Sequence, residues 1–216
     1  MKIAFIGAGQ VGAPLAARLA EAGHEVVLGE VEPGSESVAR ALTRSKRLAA
    51  RSSREAISGA EIVFLATPFA ANESLLRAHA DVISTKILVD CTNPVGPGLT
   101  HALKSERSGS EFIQSIVPAA RVVKAFTIYG FENLENSAYP GYGKLLPAML
   151  FCGDDASAKA NVASLITDLG FEPVDVGRLV QALHLEHMTL LWVRMVRAQG
   201  QSPHLVWAAL RREHGA

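Results

Sequence analysis

Short hydrophobic runs alternate with amphipathic stretches along the first 130 residues. The runs are rich in Val, Ile, Leu and Phe, as buried strands are, and the stretches between them are rich in helix formers. Predicted strands cover residues 2–6, 24–29, 61–67, 86–90 and 122–126, with a weak one over 47–50, and predicted helices cover 11–22, 36–43, 53–59, 69–81 and 111–117. Because strands that alternate with helices form parallel sheets covered on both faces, the pattern predicts an α/β fold with a mostly parallel, doubly wound sheet.

The pattern changes after Phe131, where a loop is predicted over residues 139–143. The elements expected beyond it are a strand over 148–152, a helix over 154–169, a strand over 172–176 and two helices over 179–200 and 203–213. No repeat, low-complexity tract or linker interrupts the chain. We therefore expect one domain over residues 1–216, with a core of about 1–130 and a small C-terminal α/β and helical extension of about 131–216.

An apolar stripe runs along the predicted C-terminal helices. Its members are Leu185, Met188, Leu191, Trp192 and Met195. Two interpretations stay open: the stripe packs into the core, or it forms an interface between subunits that also covers a substrate cleft. Under the second interpretation the extension would contribute both the cleft and a dimer contact.

The charge balance excludes several classes of partner. The chain has 21 basic and 21 acidic residues, so its formal net charge is zero. Nucleic acids and anionic membranes favour a basic surplus, and neither is expected as a partner. No stretch approaches the ~20 apolar residues of a membrane-spanning helix, and the start MKIAFIGAG is too short an apolar run for a signal peptide. We expect a cytoplasmic protein that acts on a small molecule.

The two cysteines, Cys91 and Cys152, lie 61 positions apart and lack the spacing of a metal site. Each lies at the end of an apolar run, which is typical of a buried, reduced thiol. A catalytic or metal-binding role is the alternative. No Ser-His-Asp or Cys-His arrangement appears, so we expect neither a metal site nor a catalytic nucleophile.

The first candidate site is the segment Gly7-Ala8-Gly9-Gln10-Val11-Gly12, which matches GxGxxG. It follows a predicted strand and opens a predicted helix, the context in which this motif binds the pyrophosphate of a dinucleotide in a Rossmann βαβ unit. Gly7 would permit the tight turn, Gly9 the approach of the pyrophosphate, and Gly12 close packing of helix on strand. A strand–helix turn without a ligand is the alternative.

Glu30 ends the second predicted strand, 18 residues after Gly12. A carboxylate at this place accepts hydrogen bonds from the adenosine ribose hydroxyls and repels a 2′-phosphate. No Arg or Lys occurs between Arg18 and Arg40 to pair such a phosphate. The sequence therefore favours NADH over NADPH, although Glu30 as a solvated loop residue is the alternative.

Two X-Pro turns follow buried strands, at Thr67-Pro68 and Asn93-Pro94. Ligands of doubly wound sheets lie in the crevice at the carboxyl ends of the strands. Proline fixes φ, so each turn would hold its Thr or Asn in one pose. We expect both turns to line the nicotinamide side, unless they serve only to end the strands.

Five segments together resemble the deazaflavin (coenzyme F420)-dependent NADP oxidoreductase family: GAGQVG, EIVFLATP, DCTNPVG, VVKAFTIYGFENL and FCGDDASAKANVASLITDLGFEPVDVG. The similarity covers nearly the whole chain. It extends to the cytosolic reductase domain of six-transmembrane ferric reductases, although we expect no membrane part here.

The resemblance implies a Rossmann domain, usually dimeric, that passes hydride between a nicotinamide and a deazaflavin or flavin stacked on it. When the family's roles are carried over to the matching motif positions, the residues that would hold the phosphates are Gly7, Gly9, Gln10, Val11 and Gly12. The nicotinamide side would be lined by Thr67, Pro68, Asn93 and Pro94. The junction of the two rings would be approached by Phe126, Thr127 and Ile128. Of these, Thr127 and Ile128 would contact the second substrate.

The chain departs from the family pattern at two places. Where the family commonly has a Ser-Arg pair after the second strand, this chain has Glu30-Val31, which again favours NADH. Where the family often has KAFNT, this chain has KAFTI, with Thr127 in place of Asn. The second departure leaves the identity of the acceptor open.

Hydride transfer between stacked rings requires no acid–base side chain, since the protein supplies proximity and orientation. His184 and His187 share a face of the last long helix and are the candidates if a proton donor is used, although helix histidines are more often surface residues. Two rival functions stay open: an imine or 2-keto acid reductase with a C-terminal proton donor, and a non-catalytic dinucleotide sensor.

Overall fold

The computed structural model describes residues 1–212 and contains a central sheet of eight strands in the order β10-β9-β8-β5-β4-β1-β2-β3. These strands are β1 (Lys2–Ile6), β2 (Glu25–Glu30), β3 (Ala49–Ser52), β4 (Ile62–Leu65), β5 (Ile87–Asp90), β8 (Arg121–Lys124), β9 (Ala148–Gly153) and β10 (Glu172–Asp175), and a separate small hairpin consists of β6 (Val95–Gly96) and β7 (Thr100–His101). Every pairing in the large sheet is parallel except β8 with β9. The predicted mostly parallel sheet is confirmed.

Helices connect the strands and cover the sheet. They are α1 (Gly12–Glu21), α2 (Glu36–Leu42), α3 (Ser53–Gly59), α4 (Asn72–Ala78), α5 (Ala80–Ile83), α6 (Gly109–Ile116), α7 (Phe131–Glu135), α8 (Ala156–Asp168) and α9 (Ala182–Val193), with short 3₁₀ turns at Phe69–Ala71, Pro97–Leu99 and Leu179–Gln181 and a π-helical turn at Arg194–Ala198. The predicted helix over 69–81 is interrupted at His79, whose φ of −123° is not helical. The helix expected over 111–117 begins at Gly109, because Ser108 and Glu111 form a capping box.

Alternate residues of the inner strands enter two different cores, one on each face of the sheet. In β1, Ile3 and Phe5 belong to one core, while Ala4 and Ile6 belong to the other. All four are at most 1% exposed. Burial on both faces explains why these strands are continuous hydrophobic runs in the sequence.

The sheet changes winding direction between β1 and β4. From β1 the chain moves outward to β2 and β3, and it then returns to β4 on the other side of β1 and moves outward again through β5 and β8. The carboxyl ends of β1 and β4 therefore flank a topological switch point, which is where open α/β sheets bind ligands. The glycine turn and Thr67 follow these two ends.

The predicted C-terminal extension shares the sheet of the core. β9 pairs antiparallel with β8, through Lys124 opposite Cys152, and β10 continues in parallel beyond it. The hairpin of β6 and β7 was not predicted, because its strands are two residues long and carry no periodic signal.

The second C-terminal helix, predicted over 203–213, is wrong for residues 203–212, which contain no helix; residue 213 lies outside the described residues. The tail runs instead against the rest of the molecule. The Leu205 carbonyl accepts from the Trp192 indole (2.7 Å), and the Trp207 carbonyl accepts from the Ala148 amide (2.8 Å). These tertiary hydrogen bonds replace the intrahelical ones, so tertiary contacts override local helix propensity. The helix predicted over 179–200 also divides into a 3₁₀ turn, α9 and the π-helical turn.

Candidate functional site

The glycine turn after β1 has a conformation and a packing that admit no side chain at Gly7. Its φ is +99°, and a Cβ there would lie 2.5 Å from the Ala66 carbonyl carbon and 2.7 Å from the Thr67 amide nitrogen. The turn is therefore pressed against the chain that leaves β4. This contact brings Thr67 beside the first glycine of the motif.

Gly12 and Gly9 differ in what surrounds them. A Cβ at Gly12 would lie 1.9 Å from the Gly7 carbonyl oxygen, so the turn itself requires this glycine. A Cβ at Gly9 would meet no atom within 4 Å, and Gly9 is exposed. The protein alone thus imposes no steric need for glycine at position 9, and the open space beside it suits the approach of a ligand.

The start of α1 presents backbone amides without a side-chain partner. Val11 occupies the N-cap position and makes no capping hydrogen bond, and the first turn has no acidic residue. Gln10 is exposed and Val11 is half-buried. An uncapped helix N-terminus with a positive dipole end favours a bound anion such as a phosphate group.

The end of β2 carries Glu30 and Val31, as the sequence predicted. Glu30 is half-buried and Val31 is 64% exposed. In the pairing of β2 with β3, Arg51 lies opposite Gly29 and Ser52 lies opposite Glu30. Because successive strand residues point to opposite faces, Arg51 lies on the other face of the sheet from Glu30.

Three predicted residues follow β4, β5 and β8, at one edge of the sheet. Thr67 and Asn93 are half-buried, and Thr127 is 1% exposed. The Asn93 Oδ1 and the Thr127 Oγ1 are buried and have no hydrogen-bond partner among residues 1–212. Because a buried polar atom without a partner costs free energy, these two oxygens indicate a place where a polar ligand group completes the hydrogen bonding. Pro68 is exposed, and Pro94 is buried.

Phe126 and Ile128 flank Thr127 and have left-handed backbone conformations, with φ of 55° and 66°. Their side chains lie in the core: Phe126 is 1% exposed and packs on Phe64, with ring centroids 5.5 Å apart, and Ile128 is 0% exposed. The Ile128 amide donates to Thr189 Oγ1 of α9 (3.0 Å). Contact of Phe126 or Ile128 with a ligand stays a prediction.

Behind this edge lies a buried ionic cluster of Asp90, Lys124, Glu186 and His101. The Lys124 Nζ is 3.1 Å from Asp90 Oδ2 and 3.2 Å from Glu186 Oε1, and it also donates to the Thr92 carbonyl. The Lys124 and Asp90 side chains are 0% exposed. The cluster joins the carboxyl ends of β5 and β8 to α9. The same helix contains Thr189, which accepts from the Ile128 amide.

His101, in strand β7 of the small hairpin, completes the cluster. The Ser105 amide donates to His101 Nδ1 (3.2 Å), so the imidazole proton lies on Nε2, which donates to Glu186 Oε2 (2.8 Å). Glu186 Oε1 also accepts from the Gly109 amide at the start of α6 (2.9 Å). Glu186 thus links α9 to the hairpin of β6 and β7 and to α6.

Charge pairing outweighs burial at Lys124. Burial alone lowers the pKa of this ammonium, but attraction to Asp90 and Glu186 is stronger, and the pKa of Lys124 is raised above its usual value. The lysine stays protonated and serves as a structural cation.

Burial raises the pKa of the Cys152 thiol to about 12 and that of the Cys91 thiol well above its ordinary value, which agrees with the prediction of buried, free thiols.

The histidines singled out by sequence are not part of this cluster. His184 and His187 are exposed, and His187 pairs with Ser105 Oγ (2.9 Å). Of the two residues between them, both buried, Glu186 belongs to the cluster. The sequence carried a signal for two missed members of the cluster. Asp90 ends the predicted buried strand KILVD and Lys124 lies in the middle of the predicted buried strand VVKAF, and a buried charge requires a partner.

Residues 2–94 match the family model described as NADP oxidoreductase, coenzyme F420-dependent. The F420-dependent NADP reductase of Methanothermobacter thermautotrophicus is 33% identical over 211 residues, a match that covers 90% of this chain and 89% of that protein. The crystal structure of a candidate F420-dependent NADP reductase from Arthrobacter sp. FB24 has a TM-score of 0.82 and 30% identity, covering 93% of this chain and 95% of that chain.

Similarity also extends to a larger protein. The metalloreductase STEAP3 of Rattus norvegicus is 33% identical over 189 residues, which is 88% of this chain and 36% of that protein. The chain spans about a third of the length of the metalloreductases that it matches. Across residues 1–212, no helix combines the length and the apolar character needed to cross a membrane.

Proposed function

The chain belongs to the F420-dependent NADP oxidoreductase family, a family of NAD(P)-dependent oxidoreductases, and from this premise we propose that it transfers hydride between a nicotinamide dinucleotide and a stacked, planar acceptor of the deazaflavin or flavin type. The observation that supports the proposal best is the set of groups at the carboxyl ends of the strands. There an uncapped helix N-terminus and an open Gly9 follow β1, and buried polar oxygens without a partner among residues 1–212 follow β5 and β8, with the end of β4 and Thr67 between the two groups.

The predicted site residues would contact a dinucleotide from its adenosine to its nicotinamide. The glycine turn and the α1 amides would hold the pyrophosphate, and Glu30 would accept from the adenosine ribose. Thr67, Asn93 and Thr127 would orient the nicotinamide half. When bound, the nicotinamide supplies the hydride donor or acceptor, and the protein supplies proximity and orientation.

The buried groups of the site are suited to orientation rather than to proton transfer. Lys124 is 0% exposed and held by two carboxylates, and His101 is 8% exposed with both ring nitrogens hydrogen-bonded within the protein. Neither group is free to donate a proton to a substrate. This agrees with a ring-to-ring hydride transfer, which needs no acid–base side chain of its own.

Glu30 supports a preference for NADH over NADPH. A 2′-phosphate on the adenosine ribose would bring like charges together, and Arg51 of the neighbouring strand lies on the opposite face of the sheet. The NADP reductases that this chain resembles are named for the other cofactor, so the preference proposed here departs from those names.

The decisive experiment is a spectroscopic screen of NADH and NADPH oxidation against deazaflavin, free flavins and quinones. Oxidation with a planar acceptor supports the proposal. Turnover of imines or 2-keto acids instead would establish the rival reductase, and tight dinucleotide binding without oxidation by any acceptor would favour a sensor.

A double variant separates the ring-to-ring mechanism from acid catalysis. Because His184 and His187 are both exposed, replacing both by Ala should lower turnover less than about threefold. A loss of about a hundredfold or more in a folded double variant would instead identify a proton donor on α9.

The homodimer stays a prediction. Of the apolar stripe, Leu185 and Trp192 are buried in the core, whereas Leu191 is 51% exposed. Core packing therefore accounts for two members of the stripe, and the oligomeric state requires a light-scattering measurement on the purified chain.

A further inference from the structure

A chain of four hydrogen-bonding side chains leads from the buried ionic cluster to the candidate dinucleotide site. Asp90 lies at its inner end and Thr67, beside the glycine turn, at its outer end. Thr92 and Asn72 lie between them, and both are buried. No pattern in the sequence connects these four positions.

The distances are those of ordinary hydrogen bonds at every step. Thr92 Oγ1 is 2.7 Å from Asp90 Oδ1, Asn72 Nδ2 is 3.0 Å from Thr92 Oγ1, and Thr67 Oγ1 is 2.7 Å from Asn72 Oδ1. The other carboxylate oxygen of Asp90 accepts from Lys124 and from Ser110.

The direction of each bond follows from the one before it. A carboxylate only accepts, so the Thr92 hydroxyl must donate its single hydrogen to Asp90. The Thr92 oxygen can then only accept, which fixes the Asn72 amide with its NH₂ toward Thr92 and its oxygen toward Thr67. The Thr67 hydroxyl hydrogen is consequently used by Asn72, and only its oxygen lone pairs remain for a ligand.

We propose that Asp90, acting through Thr92 and Asn72, is a positioning residue that presets the Thr67 hydroxyl as a hydrogen-bond acceptor toward the dinucleotide. The ligand group at Thr67 is then a donor, a ribose hydroxyl or the carboxamide N–H. This inference rests on the proposed function, since it assumes that a dinucleotide binds beside Thr67.

The test is a set of single-atom variants read out by NADH binding in calorimetry. Thr92→Val replaces the hydroxyl by a methyl group and keeps the backbone hydrogen bonds of Thr92 to Asp90 and Lys124. It frees the Asn72 amide and the Thr67 hydroxyl to rotate. We expect NADH to bind about fivefold to thirtyfold more weakly, and Thr92→Ser, which restores the hydroxyl, to bind within about twofold of the unaltered protein.

A double variant establishes that Thr92 acts through Thr67. Thr67→Val should weaken binding by about as much as Thr92→Val, and the pair together should be no weaker than Thr67→Val alone. Additive losses would overturn the proposal, because they would show that Thr92 acts by a separate route. If Thr92→Val fails to fold, Asn72→Ala cuts the same chain one link nearer to Thr67 and carries the same expectations.

The outcomes distinguish this inference from the proposed function. Unchanged NADH affinity in a folded Thr92→Val or Asn72→Ala protein overturns the inference and leaves the oxidoreductase intact. Failure of the unaltered protein to bind NADH or NADPH at all overturns both.

Discussion

The two halves of the candidate site consist of different kinds of chemical groups. The half that would bind the pyrophosphate consists of backbone: a glycine turn, an uncapped helix start and an open position at Gly9. The half that would orient the nicotinamide consists of side chains supported by the buried ionic cluster of Asp90, Lys124, Glu186 and His101. The first half depends on local conformation, and the second depends on contacts between segments up to 85 positions apart.

This difference predicts how each half fails. In the pyrophosphate half the binding groups belong to the backbone, and a substitution does not remove them. A new side chain there either disrupts the turn or blocks the ligand. A charge-supported site loses stability first, because removal of one charge strands its buried partners.

The largest effect should come from the glycine turn. Gly12→Val places side-chain atoms against the Gly7 carbonyl oxygen, where even a Cβ would lie at 1.9 Å, and should unfold the protein or cost more than about 4 kcal/mol. Thermal and urea denaturation measure the effect.

Gly9→Ala is the matched control for that variant. Because the space around Gly9 is open, stability should change by about 1 kcal/mol or less, while dinucleotide affinity should fall by about tenfold or more. A folded Gly9→Ala protein with undiminished affinity in calorimetry would show that the pyrophosphate lies elsewhere.

The second effect concerns the ionic cluster. Lys124→Met keeps the length of the side chain but leaves Asp90 and Glu186 buried without their cation, and should cost about 3–5 kcal/mol of unfolding free energy. The control is Lys159→Met, which breaks the partly exposed pair with Asp175 and should cost about 1 kcal/mol or less. Equal losses in the two variants would contradict a special role for the cluster.

The third effect is one of specificity. Replacing Glu30 by Ser and Val31 by Arg removes the charge that repels a 2′-phosphate and adds one that pairs with it. The ratio of NADPH to NADH affinity should rise by about tenfold to a hundredfold, with stability nearly unchanged. The interpretation of Glu30 is wrong if the unaltered protein already prefers NADPH by about tenfold.

The smallest effect concerns the two thiols, which should not react in the native protein. With the pKa of Cys152 at about 12 and that of Cys91 well above its ordinary value, almost no thiolate forms at pH 8, and both side chains are at most 4% exposed. Iodoacetamide should label neither cysteine in the native protein and both in urea, as measured by mass spectrometry. Labelling of native Cys152 would mean that β9 separates from its neighbouring strands in solution.

The sequence by itself determined the parts of this protein that depend on local order. Hydrophobic runs placed the inner strands because both faces of the sheet are buried, and the glycine spacing located the turn because Gly7 and Gly12 are required within six residues of chain. Only the tertiary structure decided which partners the charged residues within those runs pair with. Asp90 and Lys124 could be seen as isolated charges, but their pairing with Glu186 and His101 depends on how α9 and the β6–β7 hairpin pack against the strand ends. The C-terminal tail shows the same limit: helix propensity predicted a helix, and hydrogen bonds to Trp192 and Ala148, available only in the folded molecule, held the chain in another conformation.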